Sequence, residues 1–152
     1  MRRIEVNDSQ RHVPRMKRRM AEAARRVLEA EGVQSYDLSL AAVEDRTISR
    51  LNQRFLDHRG TTDVLSFRLS EEGDTTLRGE VVVNGQQAAR AAAACGVNPR
   101  GELLLYVVHG CLHLIGYDDG TAGAARRMHT RENELLAALG HPDGYGPLGE
   151  GL

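Results

Sequence analysis

The chain has 152 residues, of which 41% are hydrophobic and 27% charged, and its formal net charge is −1. These values are typical of a globular domain with its own hydrophobic core. No apolar run reaches the roughly 18 residues of a membrane-spanning helix, and residues 1–15 lack the apolar stretch of a secretory signal. Cys95 and Cys111 form no CxxC pair, which is typical of free thiols in a reducing compartment. We therefore expect a cytoplasmic protein that does not bind membranes.

The charge is unevenly distributed along the chain. Residues 1–26 carry nine basic and three acidic side chains, a net charge of +6, which leaves −7 for the remainder. A basic segment can contact phosphate groups, so Arg15, Arg18 and Arg19 are candidate contacts for a phosphate-bearing ligand. A solvated helix face is the commoner reason for such a run of charge, and on charge alone it is the favoured interpretation.

Hydrophobic periodicity predicts an alternation of helices and strands without internal repeats. Apolar residues recur at three- and four-residue spacing in the helical segments, and at alternate positions or in short runs in the strands. In chain order the predicted elements are a helix over residues 14–32, a strand over 36–43, a helix over 45–55, strands over 63–69 and 79–84, a helix over 86–94, a helix that begins at 98–99, and a helix over 122–139.

These elements predict a single α+β domain over residues 1–140. We expect a small mixed sheet of three to four strands, packed by about five helices. Residues 141–152, HPDGYGPLGEGL, are rich in glycine and proline, so we expect them to form a flexible tail.

Two histidines lie four residues apart in the most apolar segment, residues 103–117, LLLYVVHGCLHLIGY. Residues i and i+4 share one face of a helix, so His109 and His113 can reach one point. Neutral imidazole is the commonest protein ligand for transition metals. Gly116 can end the helix in a left-handed conformation, and either of the two aspartates that follow can then fold back as a third ligand. Three ligands with an open fourth position are typical of a catalytic metal.

A structural interpretation of the same residues is also available. A histidine pair on a helix is often not a metal site, and Asp119 is placed to cap the helix predicted from Ala122. Cys111 lies about 200° around the helix from His109, so we predict that it is a small core residue. The coincidence of two histidines, a helix-ending glycine and two carboxylates in so short a segment favours the metal site.

The segment HGCLHLIGYDD, from His109 to Asp119, resembles the HGxLHLxGYDH signature of the YbeY family, metal-dependent endoribonucleases that mature ribosomal RNA. The stretches LNQRF from Leu51, TDVLSF from Thr62 and GEVVV from Gly79 also occur in the order and spacing of that family. The segment MHTRENELLAALG is similar to the family's C-terminal helix. The resemblance therefore covers nearly the whole chain.

The resemblance implies an α+β domain with a zinc ion in a cleft beside the sheet, held by His109, His113 and Asp119. It implies a metal-dependent single-strand endoribonuclease that acts in 16S rRNA 3′-end maturation and ribosome quality control. The expected partner is RNA, either ribosomal RNA or the small ribosomal subunit, and we do not expect DNA to bind. Water on the metal would then attack the phosphodiester, with no protein base assigned.

The chain departs from the family pattern at two positions. The third metal ligand of the family is a histidine, and this chain has Asp119 there. An arginine often follows the aromatic residue of the LNxx[FY] stretch, and this chain has Leu56. Arg54 and Arg59 are near enough in sequence to replace this arginine, and Arg59 is a candidate catalytic residue. His58, in the same loop, is a second candidate, although it can equally be a polar loop residue.

A strand serine and the low aromatic content bear on how RNA would bind. Ser66 is a candidate RNA contact, but a serine on a half-buried strand is more often structural. Aromatic residues make up 4% of the chain and tryptophan is absent, so we expect RNA to bind mainly through its phosphates.

Two further functional classes compete with the nuclease. The first is a metallopeptidase, but the glutamate that serves as base in the HExxH motif is replaced here by Gly110. The second is a non-catalytic ribosome-associated factor whose metal only stabilises the fold.

Overall fold

A four-stranded mixed sheet forms the centre of the computed structural model, which describes residues 1–140. Its strands are β1 (Arg2–Asp8), β2 (Tyr36–Val43), β3 (Val64–Arg68) and β4 (Leu77–Asn84). The order across the sheet is β1-β2-β4-β3. The first three strands in this order are parallel, and β3 pairs antiparallel with β4. The predicted flexible tail, residues 141–152, lies outside the described residues.

Residues 1–140 contain five helices in addition to the sheet. They are α1 (Lys17–Ala30), α2 (Asp45–Leu56), α3 (Gly85–Cys95), α4 (Pro99–Leu114) and α5 (Ala122–Ala138). The predicted α+β class, the small mixed sheet and the number of helices are therefore confirmed.

The edge strand β1 is the element that sequence periodicity did not locate. Its side chains alternate, with Ile4 and Val6 packed against the core while Arg3 and Glu5 are exposed and form an ion pair at 2.8 Å. Two apolar residues among five charged or polar ones give a weak signal. An edge strand needs no more, because only one of its sides pairs with the sheet.

The first helix begins three residues later than predicted. Pro14 was the expected start, but α1 begins at Lys17. The buried side chain of Gln10 accepts hydrogen bonds from the backbone N–H groups of His12 and Val13 and donates to the carbonyl of Val13. These bonds hold the segment in a turn, so helical geometry begins only after it.

Helix α4 lies against the sheet and is buried along almost its whole length. Because successive side chains of a strand point to opposite faces, Val81 and Val83 belong to the core on the α4 side. Val82 joins Val43, Ile48 and Leu65 in a smaller core under α2. The sheet therefore carries α4 on one face and α2 on the other.

Helix α5 packs against α4 and is also joined to the end of α1. The Nε atom of Arg131 donates to a carboxylate oxygen of Glu31 at 2.8 Å, across 100 residues of sequence. This contact and the α4 packing fix α5 at two places.

The structure bears on the membrane helices and the cysteines considered in the sequence. No helix within residues 1–140 combines the length and the apolar character needed to cross a membrane. Cys95 and Cys111 are both free thiols. Cys111 is completely buried, and burial raises the pKa of its thiol to about 12, so its prediction as a small core residue is confirmed.

Candidate metal centre

The centre lies where α4 ends and the chain turns back. Helix α4 stops at Leu114, and Gly116 has a φ of 109°, which an L-residue with a side chain rarely adopts. The backbone N–H of Tyr117 donates to the carbonyl of Leu112 at 3.0 Å and closes the turn. The predicted helix end at this glycine is therefore confirmed, and the turn brings the following aspartates back toward the helix.

Three of the predicted residues converge at this turn. The Nε2 atoms of His109 and His113 are 3.1 Å apart. The Oδ2 atom of Asp119 is 3.9 Å from Nε2 of His109 and 3.6 Å from Nε2 of His113. Their ligand atoms all lie within 4.8 Å of one another. The histidines are partly buried and the aspartate is exposed, so the group has one wall in the protein and one side open to solvent.

Capping of α5 does not require Asp119. The N-cap of α5 is Thr121, whose hydroxyl accepts a hydrogen bond from the backbone N–H of Ala124 at 3.1 Å. The other aspartate, Asp118, accepts from the N–H of Gly120 at 3.0 Å and so stabilises the loop. The alternative interpretation of Asp119 as a helix cap is therefore wrong.

A buried carboxylate supports the first histidine. The Nδ1 atom of His109 is 3.0 Å from Oε1 of Glu132, a side chain on α5 with no exposed surface. Burial acts to lower the pKa of the His109 imidazole. The hydrogen bond and the negative charge of Glu132, together with Asp63 and Asp119, outweigh burial and raise the pKa above its usual value of 6.5.

These features fit a divalent transition metal. Two imidazole nitrogens and a carboxylate oxygen are the donor set of several catalytic zinc sites, which keep a further position open for water or substrate. A ligating histidine usually donates its other ring N–H to a carboxylate or carbonyl, and Nδ1 of His109 lies within hydrogen-bonding distance of the Glu132 carboxylate. The residue types, their convergence and this supporting bond together describe a site that could hold a metal ion.

Gly110 allows this part of α4 to approach the sheet closely. A Cβ atom at residue 110 would lie 2.5 Å from Cγ1 of Val81 and 3.0 Å from Cγ2 of Val64. The hydroxyl of Ser66 donates to the carbonyl of Gly110 at 2.9 Å and fastens the same turn to β3. A larger residue, including the glutamate of an HExxH motif, does not fit at this position without displacing the strand.

The family model for endoribonuclease YbeY matches residues 3–140. The chain belongs to the YbeY family. The endoribonuclease YbeY of Salinibacter ruber is 38% identical over 120 residues, which is 74% of this chain and 76% of that protein. That of Geobacter metallireducens is 32% identical over 143 residues, covering 90% and 95%.

A solved structure agrees with the fold. The solution structure of TM1509 from Thermotoga maritima aligns with a TM-score of 0.64 and 22% identity, covering 97% of this chain and 93% of that one. At this identity the match supports the fold alone. Membership in the YbeY family confirms the predicted family and the enzyme class, a hydrolytic nuclease that acts on RNA.

Leu56, which stands where the YbeY family often carries an arginine, lies beside an open groove. Leu56, His58 and Arg59 line this groove, which has a volume of about 670 Å³. Val64 lines it as well and packs toward Gly110 on the other side, so the groove adjoins the histidine-bearing turn of α4. Both candidate catalytic residues therefore line a groove whose wall includes Val64, and their role in catalysis stays a prediction.

Buried amides hold the loop that carries these two residues. The side chain of Asn52 donates to the carbonyl of Gly60 at 3.3 Å, and that of Asn84 donates to the carbonyl of Thr62 at 3.1 Å. The loop begins with Asp57 in the left-handed conformation, at a φ of 53°. The path of the loop is therefore fixed by the core, while its side chains are exposed.

The candidate arginines of the N-terminal segment lie elsewhere. Arg15 precedes α1, and Arg18 and Arg19 are exposed on it. Helix α1 packs on β1, which is the edge of the sheet opposite β3. Arg18 and Arg19 line two different grooves on α1. Their contact with RNA stays a prediction.

Sequence reasoning missed Glu132 as a functional residue. A signal was available, because Glu132 follows Met128 by four residues and precedes Leu136 by four, which places a carboxylate within the apolar stripe of α5. A charged residue in such a position needs a partner in the folded protein. The sequence gives no direct indication that the partner is His109.

Proposed function

We propose that this chain is a zinc-dependent endoribonuclease that cleaves single-stranded RNA in 16S rRNA 3′-end maturation and ribosome quality control. The observation that carries the proposal is the convergence of His109, His113 and Asp119 within 4.8 Å, in a chain of the YbeY family. We place this activity in the cytoplasm, as both cysteines are free. The expected partners are ribosomal RNA or the small ribosomal subunit.

The three residues would hold the ion from one side. His109 and His113 would contribute their Nε2 atoms and Asp119 a carboxylate oxygen. A divalent ion held there would supply Lewis acidity, which can activate water and polarise a phosphoryl oxygen. Asp119 is the most exposed of the three and forms the solvent-facing rim, so RNA approaches from its side.

Zinc is the ion we favour because of the donor set. Two histidines with one carboxylate hold zinc in several hydrolases. The carboxylate adds a negative charge that the histidine of the family pattern lacks, so we expect the site to accept harder divalent ions better than a three-histidine site does.

Three groups of residues would contact RNA. His58 and Arg59, which line the groove, would contact a phosphate or the leaving group. Ser66 already donates its hydroxyl hydrogen to Gly110, so it would contact RNA only through its oxygen. Arg15, Arg18 and Arg19 would bind phosphates farther along the strand. Neutralising the three arginines together should flatten the dependence of RNA binding on salt.

Two alternative functions make different demands on the structure. A metallopeptidase of the HExxH type needs a glutamate at residue 110, where even a Cβ atom would lie 2.5 Å from Val81. A non-catalytic factor with a structural metal needs a closed coordination shell. The exposed side of Asp119 favours an open one.

The test is cleavage of defined substrates by zinc-loaded protein. We would incubate it with end-labelled single-stranded RNA, the matching duplex, and casein, each with and without a chelator. We expect cleavage of the single strand alone, lost with chelator and restored by added zinc. Cleavage of casein instead would establish the peptidase. Tight metal binding with neither substrate cleaved would favour the non-catalytic factor.

A second stage would address the natural substrate. An RNA containing the 3′ end of 16S rRNA with its unprocessed extension would be supplied free and within small-subunit particles. Cleavage at one position supports the maturation role, whereas uniform degradation of both RNAs would contradict it. The triple substitution of Arg15, Arg18 and Arg19 would be measured in the same assay at several salt concentrations.

A further inference from the structure

Glu132 is a carboxylate within the core of the protein. Its side chain has no exposed surface, and its neighbours along α5 are the buried apolar residues Met128, Leu135 and Leu136. Burial of a carboxylate is strongly unfavourable unless hydrogen bonds compensate for the lost water. Its Oε1 atom is 3.0 Å from Nδ1 of His109 on α4. The bond joins two helices at the ring of a candidate metal ligand.

We propose that Glu132 is a positioning residue that holds His109 in a single tautomer before a metal arrives. A carboxylate can only accept a hydrogen bond, so Nδ1 of His109 carries the hydrogen. The lone pair of the neutral ring is then on Nε2, which faces His113 and Asp119. This inference deepens the proposed function, on which it depends for the role of His109 as a ligand.

The two histidines are unequal in this arrangement. Their Nε2 atoms are 3.1 Å apart, and that contact is a hydrogen bond only if one of them carries a hydrogen. With Nδ1 of His109 protonated, the hydrogen between the rings belongs to Nε2 of His113. Within residues 1–140 no hydrogen bond is found at Nδ1 of His113. His109 is therefore preset for metal binding by a carboxylate, and His113 is not.

The tautomers can be observed directly in metal-free protein. Long-range ¹H–¹⁵N correlation spectra of histidine-labelled protein distinguish the two neutral forms, at a pH where both rings are neutral. We expect His109 in the Nδ1–H form and His113 in the Nε2–H form. Addition of zinc alone should leave His109 unchanged and convert His113 to the Nδ1–H form. An Nε2–H form of His109 in the metal-free protein would overturn the proposal.

Substitution of Glu132 separates positioning from simple packing. Glu132→Leu keeps most of the volume and removes the acceptor, and Glu134→Leu is the matched control at an exposed position of the same helix. We expect Glu132→Leu to release His109 from the Nδ1–H form and to weaken zinc binding about 10- to 100-fold in chelator competition. Glu134→Leu should change neither property. A fixed tautomer and wild-type zinc affinity in Glu132→Leu would contradict the proposed role.

A conservative variant covers the case in which Glu132→Leu does not fold. Glu132→Gln keeps the size and one acceptor oxygen but removes the charge, so we expect the Nδ1–H form to persist and zinc affinity to fall by less than in Glu132→Leu. Loss of that form with unchanged zinc affinity would overturn the proposal. The tautomer measurement requires neither metal nor RNA. A protein that shows the expected tautomers yet cleaves no RNA would therefore refute the proposed function and leave the role of Glu132 intact.

Discussion

Two polar pairs lie on one face of α4, and they differ in what surrounds them. Glu102 and Tyr106 occupy the first half of the helix, and His109 and His113 the second, with spacings that place all four on one stripe. Glu102 and Tyr106 are 7% and 4% exposed and hydrogen-bond to each other. The histidines are partly exposed and converge with Asp119 from outside the helix.

The difference in exposure between these two pairs indicates when a polar pair on an apolar helix can form a metal site. Burial raises the pKa of Glu102 and also that of Tyr106, and the hydrogen bond between the two side chains gives each of them a partner inside the core. The histidines point their Nε2 atoms toward a carboxylate that solvent can reach. Convergence with an accessible third group distinguishes the candidate site from a buried structural pair.

The largest effect should come from the histidines themselves. We expect His109→Ala or His113→Ala to bind less than a full equivalent of zinc and to lose RNA cleavage by more than the roughly 100-fold that supporting residues reach. Metal content after dialysis and single-strand cleavage measure this. His12→Ala, an exposed histidine of the N-terminal segment, is the control. A full equivalent of zinc in His109→Ala would place the metal elsewhere.

The next largest effect, on zinc affinity, should come from Asp119, the third residue of the candidate site. Asp119→Ala should lose zinc affinity, Asp119→Asn should lose it in part, and Asp119→His should retain the metal and the activity. Thr121→Ala is the control, because loss of the cap should cost about 0.5–2 kcal/mol of stability with unchanged affinity. Isothermal titration with zinc and thermal unfolding separate the two effects. Wild-type affinity in Asp119→Ala would leave the histidine pair without its third ligand.

A loss of stability should follow from filling the close contact between Gly110 on α4 and Val81 on β4. In Gly110→Ala the new methyl group would lie 2.5 Å from Val81, and overpacking of this kind costs about 1–3 kcal/mol. Urea unfolding measures the loss. Gly101→Ala, on the first half of α4, is a comparison at another buried glycine of the helix. An unchanged free energy of unfolding in Gly110→Ala would mean that helix and strand separate easily here.

The smallest effect concerns the first pair and depends on pH. Because the pKa of Glu102 in the folded protein is raised above the usual 4.5, the folded state holds its proton more tightly than the unfolded chain. Wild-type stability therefore falls as pH rises from 4.5 through the folded pKa, by at most about 1.4 kcal/mol per pH unit. Glu102→Gln lacks this term, so its stability relative to wild type should improve over that range. Zinc affinity should be unchanged in Glu102→Gln.

The sequence was sufficient to locate His109 and His113 but not Glu132, the carboxylate that lies against His109. Helical periodicity, the four-residue spacing of His109 and His113, and the helix-ending Gly116 are local properties, and the structure confirms them. Glu132 is 23 residues from His109 in sequence, and only the packing of α5 on α4 joins them. Local pattern contains no information about which helices meet, so this contact could not be predicted.

The remaining differences have similar physical reasons. Strand β1 has too few apolar residues for its alternation to be recognised, because an edge strand buries little surface. Thr121 and Asp119 are both good capping residues, and only the path of the loop decided between them. The groove beside Leu56 depends on hydrogen bonds from Asn52 and Asn84 to the loop, which sequence spacing does not reveal.

The attachment of α5 to α4 and α1 affects when the candidate metal centre is completed during synthesis. A ribosome delivers the N-terminal elements first, so the sheet and α4 can assemble while α5 is still being synthesised. Such a nascent chain has both histidines but lacks Glu132 and the bond from Arg131 to Glu31. With Glu132 in the proposed positioning role, zinc would bind weakly until α5 docks, so the centre would be completed only after α5 has been synthesised.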